Sequence, residues 1–400
     1  MSTLKVDGIR SNSASSDAIT LASDGTCTAD ITSINGGSIG TKNLVTNGAM
    51  IVSQRGLDST ATGYQTVDRW ALNHSVQDNP YQMQVAVASG TTPYNLGFRK
   101  AFQVMNGNQT NGATATAIMY IRHFIESQNI AQSGWNYTDP NSKITLSFWI
   151  KSSVAQSFHG HLRSRDGTAQ RYPFQTGALT ANTWTKITKT IPGNSNLQFD
   201  TDTTANSVDR GLDVVICAYM GTTYSDSSAT FDQWQGEAAA NFAGQDMTTT
   251  WFTTNDATLD ITGVQLEVGS TASLYAHESY ADTLRKCQRY YFKMTADDPN
   301  VGNSMFAVGW ANSANQCIGI IHYPQSLRDA PTALETTGSS SDYRVNEFGA
   351  NHTASGGPTF STATKNTSTV YFTVSSITAG RPLFLRAVNA NAFLAWSAEL

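Results

Sequence analysis

The sequence predicts an all-β protein: a β-sandwich, then a short connecting helix and a second, smaller C-terminal β domain, the whole preceded by an extended N-terminal arm. Three observations lead there. Apolar and aromatic residues alternate along short runs bounded by turn residues, which is the period of a strand with one face buried. Helical periodicity is scarce. Charged residues make up only 14% of the 400 residues, against about 25% in ordinary soluble domains, and Thr, Ser, Asn and Gly take their place. Hydroxyl and amide side chains pair well across strands, and β-branched Thr favours extended backbone.

The first 42 residues contain no aromatic side chain and few large apolar ones, with turn signals at Asp7-Gly8, Asp24-Gly25 and Gly36-Gly37. Runs around Leu4, Val6 and Ile9, and around Ile19, Leu21, Cys27 and Ile31, read as small strands that need a partner to cover them. This segment is expected to be a docking or oligomerising arm; the competing reading is a terminal extension without structure. Residues 43–278 read as the sandwich. Strands are expected over Gln82–Ala88, Lys100–Met105, Ile144–Lys151, Ser157–Arg163, Trp184–Ile191, Leu212–Met220 and Leu259–Glu267. In the run from Ile144 to Ile150 the large apolar residues fall mostly at every second position, so they share one face.

Residues 279–293 read as the connecting helix. Within Ser279–Tyr291 the residues Leu284, Cys287, Gln288 and Tyr291 fall at i, i+3, i+4 and i+7. A second short helix is expected over Ile125–Gln132, ended by Gly134. Residues 294–400 form the C-terminal β domain, with strands over Met305–Trp310, Gln316–His322, Thr369–Ser375 and Leu383–Val388. Its last apolar run, Phe393 to Trp396, is expected to be tucked into a sheet.

Composition excludes several function classes. A net charge of −5 and the absence of a Lys/Arg cluster argue against a nucleic-acid partner. No apolar stretch is long enough for membrane insertion as a helix, and the first residues lack the basic and apolar regions of a signal peptide. Cys27, Cys217, Cys287 and Cys317 are far apart and without C-x-x-C spacing, so free thiols and synthesis in a reducing host cytoplasm are expected.

Three stretches carry a resemblance. The first is Asn43-Leu44-Val45-Thr46-Asn47-Gly48-Ala49-Met50, with Gln54-Arg55-Gly56 and Val67-Asp68-Arg69-Trp70. The second is Gly134-Trp135, then Leu146 to Ser153, Tyr172-Pro173-Phe174 and Thr183-Trp184. The third runs from Ile261 to Gly269, with Tyr280 and Cys287-Gln288-Arg289-Tyr290-Tyr291. In order and spacing they resemble a carbohydrate-binding-like jelly-roll module of bacteriophage tail fibres and related virion structural proteins. The resemblance covers residues 43–292; the last 110 or so match least well. It implies a virion location, a homotrimer, and attachment to other virion tail proteins through the N-terminal arm. It also implies contact with host surface polysaccharide, the receptor-binding tip lying in residues 294–400. The alternatives are a head fibre, decoration or tail adaptor protein with a purely structural role, and a glycan depolymerase tailspike. The residues also have readings of their own: Asn47-Gly48 as a tight turn, Asp68-Arg69 as an ion pair beneath the Trp70 indole, and Gly263 as a bulge.

Eight tryptophans and fifteen tyrosines raise the question of sugar stacking. Core packing accounts for most such residues, and Trp149 and Trp184 are assigned to the core. Trp135, Tyr172, Trp234 and Trp310 have small or polar neighbours and are the candidate ligand-binding residues. His159-Gly160-His161 supplies two imidazoles without a third ligand, so solvent-facing histidines are expected and no metal. Asp200-Thr201-Asp202 leaves a structural Ca2+ as a minor alternative to no cofactor. The acids Asp166, Asp232, Glu237, Asp256 and Glu278 are the ones a depolymerase would draw on. With no hydrolase motif and no β-helix repeat, no catalytic residue is assigned.

Overall fold

The computed structural model describes residues 6–10, 19–21, 23, 27–29, 33–34, 37–38, 43–75, 79–108, 112–199, 210–237, 244–298, 300, 302 and 304–400. In the arm, β1 (Gly8–Ile9), β2 (Ile19–Leu21) and β3 (Cys27–Ala29) form a small antiparallel sheet, and β4 (Ser33–Ile34) pairs with β5 (Gly37–Ser38). The runs near Ile9, Ile19 and Cys27 are therefore strands; Leu4 and Ile31 lie outside the described residues.

The body is a jelly-roll sandwich of two antiparallel six-stranded sheets. One contains β7 (Ala71–Ser75), β10 (Ile118–Glu126), β12 (Ser157–Ser164), β13 (Gln170–Ala178), β15 (Arg210–Met220) and β16 (Gln235–Gly236), in the order β16-β13-β12-β15-β10-β7. The other contains β6 (Asp58–Ser59), β8 (Tyr81–Ala86), β9 (Lys100–Met105), β11 (Lys143–Ser152), β14 (Thr185–Pro192) and β17 (Thr258–Val268), in the order β14-β11-β17-β9-β8-β6. The core between them follows from alternation. Ile144, Leu146, Phe148 and Ile150 of β11 are all fully buried there, facing Phe158, Leu162, Val214 and Ile216 of the first sheet. Burying side chains of this kind contributes about 1.5–3 kcal/mol each.

The motif residues of the sandwich are its fasteners. Asn43 Oδ1 accepts from the backbone N–H groups of Val45 and Leu266 at 3.0 Å each, and its amide donates to Val264 O at 3.1 Å. Asn47, at φ 56°, donates to Val52 O and Asp68 O, both at 2.9 Å, and the Trp70 indole N–H donates to Asn47 O at 3.2 Å. Gly48 lies against β17 so closely that a Cβ would sit 2.0 Å from Val264 O. Gly263, at φ 61°, lies where the β11–β17 register slips between Ser147 and Trp149, so the expected bulge is present. Buried Glu267 accepts from Gln265, from Ser273 N–H at 2.9 Å and from Ser273 Oγ at 2.6 Å, which pins the turn after β17.

Among the described residues of the body three short helices occur: α1 (Thr92–Asn95), α2 (Ser127–Ala131) and α3 (Thr250–Thr253). The helix expected from Ile125 starts later, because Ile125 and Glu126 still belong to β10, opposite Leu212 and Arg210. The connecting helix α4 (Tyr280–Gln288) is capped by Ser279, whose hydroxyl accepts from Asp282 N–H at 3.1 Å, with Arg285 and Lys286 in its last turn. It ends before Tyr291, which opens β18 (Tyr291–Thr295).

The C-terminal region has a separate core. β19 (Met305–Ser313), β20 (Gln316–His322), β21 (Tyr343–Glu347), β22 (Ala350–Thr353), β23 (Thr359–Ala363), β24 (Thr367–Thr373) and β25 (Pro382–Ala387) form one sheet, ordered β22-β21-β25-β19-β20-β24-β23. β18 pairs with the last strand, β26 (Phe393–Ser397), as expected of that apolar run. Trp396 is fully buried and its indole N–H donates to Ser368 Oγ at 3.1 Å.

Two sequence expectations are corrected here. Asp68 and Arg69 are not paired with each other. Asp68 accepts from Gln54 N–H at 3.0 Å, while Arg69 reaches the Glu399 carboxylate and Phe124 O, and its guanidinium lies 3.4 Å from the Tyr290 ring centroid. Trp149 and Trp184 lie half-buried against a small cluster on the outer side of the second sheet, with Phe98 and Tyr275, instead of in the sandwich core.

Candidate functional site

The first sheet has one face on the core, and its other face forms the candidate site. In β12, Phe158 and Leu162 point to the core, so His159, His161 and Arg163 lie on the opposite side. Register carries that face across the sheet. His161 lies opposite Val215 and Pro173, and Val215 opposite Arg122. Arg163 lies opposite Asp213 and Arg171, and Asp213 opposite Phe124. His159 lies opposite Cys217, Cys217 opposite Tyr120, and Tyr120 opposite Asn73. Directly paired residues share a face, so five strands build one chemical surface.

The surface is half covered. At one end Phe231, from the segment after β15, packs edge-on to His159 with ring centroids 4.9 Å apart. At the other, Phe124 is fully buried beneath Tyr290, Leu400 and Tyr64. Between them Asn73, Tyr120, Arg122, Arg163, Arg165 and Arg210 remain partly exposed. Arg165 Nε donates to Asp213 Oδ2 at 2.6 Å, Arg171 Nη2 to Asp226 Oδ2 at 2.7 Å, and Arg163 pairs with Glu237. Burial raises the pKa of Asp213, against the opposing pull of Arg165, Arg163 and Arg122. Burial depresses the Arg210 guanidinium; Asp213 pulls against it, while Arg122 and Arg165 add repulsion. Asp213 Oδ1, Arg122 Nε, Arg171 Nη1, Asn73 Oδ1 and the Tyr64 hydroxyl are shielded from solvent and have no hydrogen-bond partner among the described residues. Each such group costs about 1–3 kcal/mol unless water or a ligand satisfies it.

The sequence-selected residues are scattered over the molecule. Trp135 and Tyr172 are corrected: they are core residues, 3% and 2% exposed. The Trp135 indole donates to Ser142 O at 3.2 Å and packs with Tyr137 and Phe199. Trp234 is half-buried, edge-on to Tyr172 at 5.4 Å, with its N–H donating to Pro192 O at 2.7 Å. Trp310 is at the surface, 42% exposed. His159 and His161, expected to face solvent, are buried under the loop and arginines just described, and burial with the surrounding guanidinium groups pushes His161 down to about 3. Among the described residues no cluster of His, Cys, Asp and Glu is arranged to hold a metal; Asp200-Thr201-Asp202 lies outside them. Cys217, Cys287 and Cys317 are free and buried. Of the acids considered for catalysis, Glu237 pairs with Arg163, Asp232 with Lys189 at 3.0 Å and Glu278 with Lys286, three different neighbourhoods. Arg122, Arg163 and Asp213 were within reach of the sequence only as charged residues at alternate positions in apolar strands.

A cavity of about 150 Å³ opens between the β17–α4 connection and the α1–β9 turn, lined by Phe98, Arg99, Tyr275 and His277 among others. Its Asn43 and Asn47 amides are already committed to the backbone, as above.

Trp310 belongs to a different kind of surface. On the C-terminal sheet it lies opposite Ile318 and Pro382, Ile318 lies opposite Tyr371, and Val308 opposite Phe384. Met305, Val308, Trp310, Ile320 and Phe384 are 39% to 56% exposed. Together they present a contiguous apolar strip on the order of a few hundred Å², the size class of the largest patch on a monomer.

No family model matches the sequence, and no curated protein matches it significantly. Solved structures align loosely. The enzymatically active domain of tailspike protein 4 of bacteriophage CBA120 is 12% identical over 57% of this chain and 21% of that one, with a TM-score of 0.31. A putative sugar binding protein from Bacteroides thetaiotaomicron is 10% identical over 57% of this chain and all of that one, at 0.29. The N-terminal cellulose-binding domain of Cellulomonas fimi β-1,4-glucanase C is 10% identical over 56% of this chain, at 0.27. The chain spans about a fifth of the tailspike domain. Superpositions this loose leave the site to be judged on its own chemistry.

Proposed function

We propose that this chain is a tailed-bacteriophage virion protein, a fibre or short appendage that attaches to bacterial surface polysaccharide without cleaving it. The observation that carries the glycan part is the outer face of the first sandwich sheet. There guanidinium groups, an aromatic ring edge and unpartnered buried polar atoms line a partly open strip. The virion part rests on the resemblance of residues 43–292 to fibre modules. In this reading residues 1–42 dock to the particle, residues 43–278 bind glycan and residues 279–293 connect to the C-terminal domain. Individually weak sites gain effective concentration from many copies.

Purified chain incubated with host cells and with their isolated surface polysaccharide is expected to bind saturably and leave polymer chain length unchanged over time. Shortening of the polymer would replace this reading by a depolymerase, and absence of binding by a many-copy assembly would point to a decoration or adaptor role.

The proposed assembly is a homotrimer through the apolar face of the C-terminal sheet. Three such faces around a three-fold axis enclose a dry triangular core. An apolar strip of this size is the right scale for the centre of an interface that buries about 800 Å² per partner. This seats the seam, instead of the receptor tip, on residues 294–400. Light scattering is expected to give three times the 43.1 kDa chain mass, and Val308→Lys to give the monomer mass, because it buries three charges at the axis. A monomeric parent protein would sink the assignment.

A further inference from the structure

The chain is acidic overall, with 30 Asp and Glu against 25 Lys and Arg, yet the candidate face is cationic. Three of its guanidinium groups are matched by the carboxylates of Asp213, Asp226 and Glu237. Arg122 and Arg210 are not. Neither guanidinium group has a hydrogen bond or ion pair with any described residue. Instead both lie on the Phe124 ring, at 4.6 Å and 4.3 Å from its centroid. Phe124 is fully buried, so the ring that holds the two cations is itself fixed. Two like charges on one ring, with Arg165 near them, repel each other in a half-dry setting where that repulsion is weakly screened.

Stacking occupies the flat face of a guanidinium and leaves its N–H edge available, which is the edge that takes a carboxylate or phosphate in a two-pronged hydrogen bond. A neutral sugar offers hydroxyls, which a mixture of amides and carboxylates satisfies better than a surplus of donors. Arginine cannot act as an acceptor, and the neighbouring carboxylates of Asp213, Asp226 and Glu237 each already face an arginine of their own. A single bridging anion would satisfy both edges and relieve the repulsion together.

We infer that the ligand of this face is an acidic polysaccharide whose carboxylate or phosphate groups are gripped by Arg122 and Arg210 over Phe124; this rests on the glycan-binding reading given above. The Asp213 and Glu237 carboxylates interleaved with the arginines disfavour the closely spaced phosphates of a nucleic acid, and favour a polymer with one charge per sugar repeat.

The test uses the full chain with three polymers: polygalacturonate for carboxylate, poly(glycerol phosphate) for phosphate, and dextran as the neutral arm, with duplex DNA as competitor. Binding is expected to one or both anionic polymers and not to dextran, to weaken as NaCl rises, and to resist DNA. The double variant Arg122→Gln/Arg210→Gln is expected to lose about tenfold or more in affinity. Arg122→Lys/Arg210→Lys, which keeps both charges but not the forks, should fall between, and decides the matter should the Gln pair fail to fold. Arg285→Gln, remote on α4, should bind as the parent does. Dextran binding as well as the anionic polymers, or either arginine pair binding like the parent, overturns the inference while leaving a glycan-binding protein. Binding to none of the three polymers removes the glycan reading itself, and equal displacement by DNA reduces the face to a general polyanion surface.

Discussion

Arg69→Met is expected to lower the unfolding free energy by about 3–5 kcal/mol, the scale of breaking one half of a buried ion pair. The side chain is 1% exposed and Glu399 only 7%, so neither charge is hydrated. Burial by itself would depress the Arg69 guanidinium; Glu399, with Tyr290 and Tyr64 adding to it, holds it above its ordinary value. Nη2 also donates to Phe124 O at 2.7 Å. Methionine keeps most of the stem's packing and leaves the carboxylate buried, with only Arg55, 3.4 Å away, to face it. Because Glu399 lies just after β26 and Arg69 belongs to the sandwich, the pair fastens the last strand to the body. Equilibrium denaturation of the parent and variant measures the loss. A second variant, Arg69→Met/Glu399→Leu, is expected to recover part of it, since two apolar groups replace two charges. A loss below about 1 kcal/mol for the single variant would mean that Arg55 alone satisfies Glu399.

Lowering the pH from 6.5 to 4 is expected to remove about 3 kcal/mol of stability through His161 alone. Its folded pKa is pushed down to about 3 by burial first and then by Arg163, Arg165 and Arg171, so it stays neutral in the fold while the unfolded chain takes a proton near 6.5. A depressed pKa gives stability that is full above the unfolded value and is lost as the pH falls toward the folded one. His123 is depressed for the same first reason, burial, with Arg69 adding to it, and acts in the same direction. Asp68 opposes them: burial raises it to about 6, so its contribution is present at low pH and is lost between about 4 and 6 as the pH rises. His161→Gln is therefore expected to flatten the fall in stability between pH 6.5 and 4 relative to the parent, and Asp68→Asn to steepen it. Parallel pH profiles for parent and His161→Gln would rule out a buried neutral imidazole.

Local pattern made much of the fold legible. Lys100–Met105 and Gln316–His322 are strands at their expected limits, since alternation and flanking turn residues are properties of the segment itself. The core face of β11 could be read in the same way, because a period of two commits Ile144, Leu146, Phe148 and Ile150 to one side. The aromatic candidates were not legible. Polar neighbours of Trp135 and Tyr172 describe the adjoining turn and sheet surface, whereas burial depends on what a distant segment lays over the ring.

By itself the sequence determined the all-β class, the strand segments, the side of each strand that is apolar and the existence of a connecting helix, because these follow from side-chain volume and polarity at short spacing. Only the tertiary structure decided which strands are neighbours. That choice put Arg122 of β10, Asp213 of β15, Arg163 of β12 and Arg171 of β13 on one face, and Arg69 against Glu399, 330 residues away. Alternation states that two residues share a side; which chain comes to lie beside that side is settled by the packing of the whole core, and the chemistry of the site is a consequence of that packing.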